Sequence, residues 1–197
     1  MVNDRKTIKE KDNYYQGKLL LATPNMMDFR FEKAVIFICS HSSDGAMGVM
    51  INKPAVDLTF NDILKQLNIT AQIRKNSAPD IYFGGPVDYG RGFVLHSADE
   101  SQANLDNNTF PKYKLTATTD ILRDIAEGNG PKDSLFALGY AGWGPGQLES
   151  EITLDSWLLC DADNELLFSI EANQKWSNAL SKIGVIPSQL ATFSGSA

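Results

Sequence analysis

Four glycines, Gly139, Gly142, Gly144 and Gly146, fall within eight residues directly after the apolar run Leu135-Phe136-Ala137-Leu138. No other feature restricts the possible folds of this chain as much. Such density is needed where the backbone takes positive φ or where another group packs directly on it. The apolar run reads as a strand buried on both faces and ending before Gly139. Pro145 then opens a helix, because its missing N–H would be unpaired there in any residue. Glu149 and Glu151 complement the dipole of that helix in its first turns. Trp143 falls inside the predicted glycine loop, as a lid, a platform or a plug.

A strand, a glycine loop and a helix start are the layout of an anion site. The residues argue against one here. There is no Gly-x-x-x-x-Gly-Lys-Ser/Thr, the glycine spacing is not Gly-x-Gly-x-x-Gly, and two glutamates follow where phosphate would sit. A close backbone crossing is the better reading. Its expected counterpart is the turn Gly84-Gly85-Pro86, with Trp143 at the edge of a concave surface beside it and Gly142→Val disruptive to folding. Tyr82, Phe83, Tyr140 and Trp143 flank the two glycine clusters, either filling the gaps that glycines leave or forming an apolar slot. The ligand-binding candidates are accordingly Gly84, Gly85, Arg91, Tyr140, Gly142 and Trp143.

The remaining elements follow in order. Lys18–Ala22 is a strand stopped by Thr23-Pro24-Asn25. Val35–His41 and Gly48–Asn52 form a hairpin over the turn Ser42–Gly45. Thr59 caps a helix with Asp62 at N3, and Phe60, Ile63, Leu64 and Leu67 follow its apolar stripe. Asp80–Phe83, Arg91–His96 and Lys114–Thr116 are strands, with a long polar loop over 97–113. A second helix starts at Thr118 or Thr119 and is stopped by Gly128; a last one carries Trp176, Ala179, Leu180 and Ile183 and ends at Gly184 and Pro187. Strands that come in hairpins as well as between helices indicate an α+β fold. Residues 1–16 read as a polar tail and 17–197 as one domain.

The net charge of −6 is uneven: +2 over residues 1–98 and −8 over the rest. An acidic chain without a basic stripe lacks the electrostatic footprint of a nucleic-acid binder, so direct DNA binding is not expected. No apolar run reaches the length of a membrane span, and no apolar signal core follows the charged N-terminus. Two cysteines without a Cys-x-x-Cys make neither a disulfide scaffold nor a zinc site, so a reducing cytoplasm, no cofactor and no metal are expected.

Cys39, His41 and His96 are the candidate catalytic groups. On a regular strand Val35, Phe37, Cys39 and His41 share one face, but i, i+2 neighbours stand about 6.5–7 Å apart at Cα, too far for an easy thiol–imidazole pair. His96 is the alternative partner. A cysteine in an apolar strand is more often a small buried hydrophobe. All three residues are expected to face the groove beside the crossing.

Three groups of residues together resemble the YqgE/AlgH family. They are Val35-Ile-Phe-Ile-Cys39-Ser-His41 with Gly45-Ala-Met-Gly48-Val-Met-Ile-Asn52-Lys-Pro54; Gly84-Gly85-Pro86-Val87 with Arg91-Gly-Phe-Val-Leu-His96; and Gly139-Tyr-Ala-Gly142-Trp-Gly-Pro-Gly146-Gln-Leu-Glu149 with Trp157-Leu. The match runs in family order from about Gly17, with a longer N-terminal tail and without a closing Gly-His-Ala. The resemblance implies a bacterial cytosolic protein of no established biochemical activity, often labelled a transcriptional regulator. It also implies a bifurcated β-sheet curled into a pseudo-barrel with surrounding helices and no helix-turn-helix. The expected function is binding of a small molecule or protein partner, without catalysis, and an indirect role in regulation. The alternative is a thiol-dependent enzyme or redox sensor using Cys39 with His41 or His96.

Overall fold

The computed structural model describes residues 14–70, 78–98 and 112–190. These residues form eight strands: β1 (Lys18–Ala22), β2 (Val35–Ser42), β3 (Gly45–Met50), β4 (Asp80–Phe83), β5 (Val87–Ser97), β6 (Tyr113–Thr116), β7 (Ser134–Trp143) and β8 (Trp157–Asp161). The helices are α1 (Phe60–Gln66), α2 (Thr119–Glu127), α3 (Gln147–Thr153), α4 (Ala172–Lys182) and the short α5 (Pro187–Leu190), with a π-helical turn at Glu165–Ser169. The strand order is β6-β5-β7-β3-β2-β1-β8, with β4 also on β7.

The sheet forks on β7. Along its first half, Leu135–Leu138, β7 pairs in parallel with β4 on one side and antiparallel with β5 on the other. Beyond Gly139, residues Ala141–Trp143 pair antiparallel with β3. Gly84 stands at the fork. Its N–H donates to Leu138 O and its carbonyl accepts from Met50 N, both at 2.7 Å, tying β4, β7 and β3 together. This is the bifurcated single-domain α+β sheet that the resemblance implies.

The glycine loop is shorter than the sequence predicts. The apolar run does not end before Gly139; β7 continues through Gly139 and Gly142 to Trp143, and only Gly144–Gly146 forms a loop. Gly139 takes φ +70°, and a Cβ on it would lie 2.7 Å from Gly85 O and 2.8 Å from Val87 O. These glycines allow a strand to pass another backbone at close range.

Three apolar clusters fill the molecule. The central one gathers Leu19, Val35, Phe37, Val49, Leu95 and Leu135 with Ala179 and Leu180 of α4. A second lies on the opposite face of β1, β2 and β3, where Leu20, Ile36 and Ile38 meet Leu148, Trp143 and Trp157. The third packs Phe60, Ile63 and Leu64 of α1 and Leu122, Ile125 and Ala126 of α2 against Ile81, Val94 and Phe136. The predicted capping box of α1 is formed in both directions, and Gly128 ends α2 in the left-handed conformation. A cap of this kind contributes about 1 kcal/mol. The long polar loop lies almost wholly outside the described residues, as do most of the N-terminal tail and the closing Ser194–Ala197.

Lys175 is an exception inside α4. It is 2% exposed, donates to Leu167 O at 2.6 Å and lies 5.0 Å from the Tyr82 ring centre. Burial lowers its pKa from 10.5 to about 8, with Asp80 and Glu171 opposing that shift. The folded state therefore binds fewer protons here than the unfolded chain between the two values, and this residue's contribution to stability rises with pH across that window. Burial also raises the pKa of Tyr82 and of Cys39, which pulls in the opposite direction at alkaline pH. A comparison with Lys175→Met isolates the lysine. From pH 7.5 to 10.5 the stability of the wild type should gain about 3 kcal/mol on that of the variant, measured by urea unfolding. A pH-independent difference would mean that the amine is solvated.

Candidate functional site

The two glycine clusters do cross. A Cβ on Gly84 would sit 2.2 Å from Gly139 O, and one on Gly85 would sit 2.1 Å from the Tyr140 carbonyl carbon. The open face of each is filled by the β7 backbone, so neither presents a surface to a ligand. Gly142 differs: its missing Cβ would make an ordinary contact, 3.4 Å from Cε2 of Tyr140. The expectation that Gly142→Val breaks the fold by collision at the crossing therefore belongs instead to Gly84 and Gly85.

Beside the crossing lies a cleft of about 450 Å³. Its walls are Met26, Met27, Asp28, Arg30 and Phe31 from the β1–β2 connection; Pro86 and Val87; Gly142 and Trp143; Gln147 and Glu151 of α3; and Ser156. The concave surface predicted at Trp143 is thus present. Trp143 itself is a wall residue of the second apolar cluster, 7% exposed, with its ring edge-on to Trp157 at 6.0 Å. It is a core ring in the cleft wall, neither lid nor platform.

Glu151 holds this wall together. Its Oε2 accepts the indole N–H of Trp143 at 2.9 Å and that of Trp157 at 2.8 Å, and its Oε1 accepts from Gln147 Nε2 at 2.8 Å. Gln147 in turn accepts the Gly144 N–H at 3.0 Å. A carboxylate thus satisfies two buried donors and, through one amide, a donor of the glycine loop. In the sequence Glu151 stands out as a favourable charge in the first turns of a helix and as a group that repels phosphate. Two tryptophans near an i, i+4 Gln–Glu pair are the only signal that pointed to more.

The three catalytic candidates do not converge. A β-bulge shifts the β2–β3 register between Ile38 and Ser40. The added residue reverses the alternation. Cys39 packs toward the central cluster, whereas His41 pairs with Ala46 and faces α3. The shared face expected for Cys39 and His41 is therefore absent. Cys39 lines a separate cavity of about 430 Å³ with Phe37, Lys112 and Tyr113. His96 borders a third, of about 580 Å³, with Lys114 and Asp133. Neither reaches the cleft at Trp143.

Both imidazoles are fully engaged. The Tyr15 N–H donates to His41 Nδ1 at 3.0 Å, so the proton sits on Nε2, which donates to Glu149 Oε1 at 3.0 Å. The Tyr14 ring meets it edge-on at 5.1 Å, and the Tyr15 ring lies tilted beside it at 5.3 Å. His96 Nδ1 faces the Ser97 carbonyl at 2.9 Å and must donate to it, leaving Nε2 to accept from the Thr116 hydroxyl at 2.9 Å. Burial holds His96 below its usual pKa range. His41 therefore has no free lone pair to act as a base, and that of His96 is directed at the Thr116 hydroxyl, in a cavity separate from that of Cys39 and from the cleft.

Burial pushes the Cys39 thiol up to about 12. The thiolate is the reactive form, and this shift lowers its population at neutral pH below that of an ordinary thiol. Iodoacetamide at pH 7 should therefore leave Cys39 unmodified in the folded protein and label it only on unfolding. Labelling of the native protein as fast as free glutathione would restore the thiol reading.

Of the other candidates, Tyr140 meets Phe93 edge-on at 6.0 Å, and the Arg91 guanidinium lies over the Phe93 ring at 5.1 Å. Arg91 borders a different cavity between α1 and α2, together with Leu67, Thr118 and Phe136. Gly142 and Trp143 are the two predicted ligand residues that line the cleft. Among the described residues no group of three or more His, Cys, Asp or Glu side chains is placed to hold a metal, and no helix is long and apolar enough to cross a membrane.

A family model described as AlgH-like matches residues 19–188. A UPF0301 protein of Bradyrhizobium sp. is 50% identical over 190 residues, covering 93% of this chain and 88% of that protein. One from Rhodopseudomonas palustris is 46% identical over 198 residues, covering 95% and 89%. The solution structure of the AlgH protein of Pseudomonas aeruginosa matches with a TM-score of 0.71 at 36% identity, over 96% of this chain and 99% of that one. A crystal structure from Corynebacterium diphtheriae, at 22% identity and a TM-score of 0.68 over 92% of each chain, shares the fold.

Proposed function

The chain belongs to the AlgH-like family, and from that premise we propose that it is a binding protein without catalytic activity, acting in regulation indirectly through what occupies the cleft at Trp143. The observation that carries this reading is the cleft itself. It is concave, lined by Met26, Met27, Phe31, Val87 and Trp143 with a few fixed polar groups, and built on a rigid crossing. No nucleophile paired with a base lines it. Met27 is 96% exposed and Phe29, between two lining residues, is 83% exposed. Large apolar side chains held in solvent at the rim of a concave site favour an interaction surface. A cytoplasmic location goes with this reading.

The test is a comparison of untagged protein purified from its own host with the double variant Met26→Glu, Met27→Glu. Small molecules and proteins retained by the wild type and lost from the variant, at unchanged thermal stability, identify the occupant. Retention of the same set by both would exclude the cleft. The same reading expects no sequence-selective duplex binding by the isolated chain, whose net charge is −6. A submicromolar, sequence-dependent complex in about 150 mM salt would overturn it.

A further inference from the structure

Three ionic side chains line the cleft at Trp143, and only one keeps its charge uncancelled. Arg30 is locked onto Asp28, with Nε donating to Oδ1 at 2.9 Å and Nη2 to Oδ2 at 2.6 Å. Glu151 has three donors, all neutral: two indoles and an amide. Among the described residues it has no cationic partner. Its Oε1 accepts a single hydrogen bond and retains capacity for another.

We propose that the cleft binds an apolar chain ending in a cationic nitrogen, an ammonium or guanidinium group. The proposal rests on the reading of this cleft as the binding site and names the chemistry of its occupant. The stem lies among the thioethers of Met26 and Met27 and the Phe31 ring, a polarisable lining that adapts to aliphatic shapes. The head meets the Glu151 carboxylate, whose Oε1 retains acceptor capacity for a charge-assisted hydrogen bond. An anionic ligand finds no such partner: among the described residues the cation of the lining is Arg30, already held by Asp28. The same chemistry is carried by a lysine or arginine side chain of a partner protein and by a free alkylamine.

The experiment is a titration of the ¹⁵N-labelled full chain with three linear aliphatic probes, hexylguanidinium, hexanol and hexanoate, following the indole N–H signals of Trp143 and Trp157. Hexylguanidinium should shift both signals saturably, hexanol should bind about tenfold or more weaker, and hexanoate should leave them unmoved. Glu151→Gln keeps an acceptor oxygen for the indoles while removing the charge, and should bring hexylguanidinium down to the affinity of hexanol. If that variant fails to fold, the comparison of the three probes on the wild type decides alone. An acetylated peptide with one arginine between leucines separates the sources: tighter binding than hexylguanidinium assigns the head to a protein partner, weaker binding to a free amine, and either supports the proposal. Equal affinity for hexanol and hexylguanidinium would overturn the cationic class and leave an apolar binding cleft. Unmoved indole signals with every probe would overturn the cleft as a binding site as well.

Discussion

Glu151→Ala should lower the stability of the protein by about 3–5 kcal/mol, an unusually large loss for a half-buried polar side chain. The substitution strands the indole N–H groups of Trp143 and Trp157, both buried and both held by one carboxylate oxygen. Each unsatisfied donor costs about 1–3 kcal/mol. Gln147 loses its acceptor as well, and with it the restraint on the Gly144 N–H. The three losses share one group, so they do not simply add. Glu151→Gln retains an acceptor oxygen at the same place and should recover more than half of the loss. The urea midpoint and the indole N–H signals report on both variants. An alanine variant within about 1 kcal/mol of the wild type would show that the indoles find water instead, and that the wall of the cleft is not held as described.

Much of the fold was legible because its signals are local. The hairpin over Ser42–Gly45, the capping box at Thr59 and the stop at Gly128 each depend on a few neighbouring residues, and each is present. The crossing of the two glycine clusters was also legible, because only a close backbone approach requires so many bare positions. What sequence could not show is how a strand uses its glycines. Gly139 and Gly142 read as loop, yet β7 carries both and needs the first to pass Gly85 and Val87 while changing partner from β4 to β3.

The candidate site was legible in part. Gly142 and Trp143 line the cleft, but Cys39, His41 and His96 do not. The bulge near Cys39 is the reason for the first separation: one added residue sends His41 to the opposite face, and nothing in Ile38-Cys39-Ser40 marks it. Glu151 was hidden because an acidic residue early in a helix already has a sufficient explanation in the dipole. Lys175 was hidden because it lies beside the apolar stripe of α4, where a lysine ordinarily carries its amine to water.

The central claim is that a bare-backbone crossing at Gly84 and Gly85 organises both the fork of the sheet and the cleft beside it. Gly85 has φ +155°, and an added Cβ would lie within 2.3 Å of the Tyr140 carbonyl carbon and oxygen and of Ala141 N. Those atoms belong to the β7 backbone, which is pinned on both sides by strand pairing and has no rotamer through which to yield. Gly142 lies two residues further along the same strand and has room for a methyl group. The decisive measurement is the urea unfolding midpoint of Gly85→Ala beside that of Gly142→Ala. The account predicts a loss above about 4 kcal/mol, or no folded protein, for the first and a change within about 1 kcal/mol for the second. Equal losses in the two variants, or a Gly85→Ala protein that unfolds at the wild-type midpoint, would contradict it.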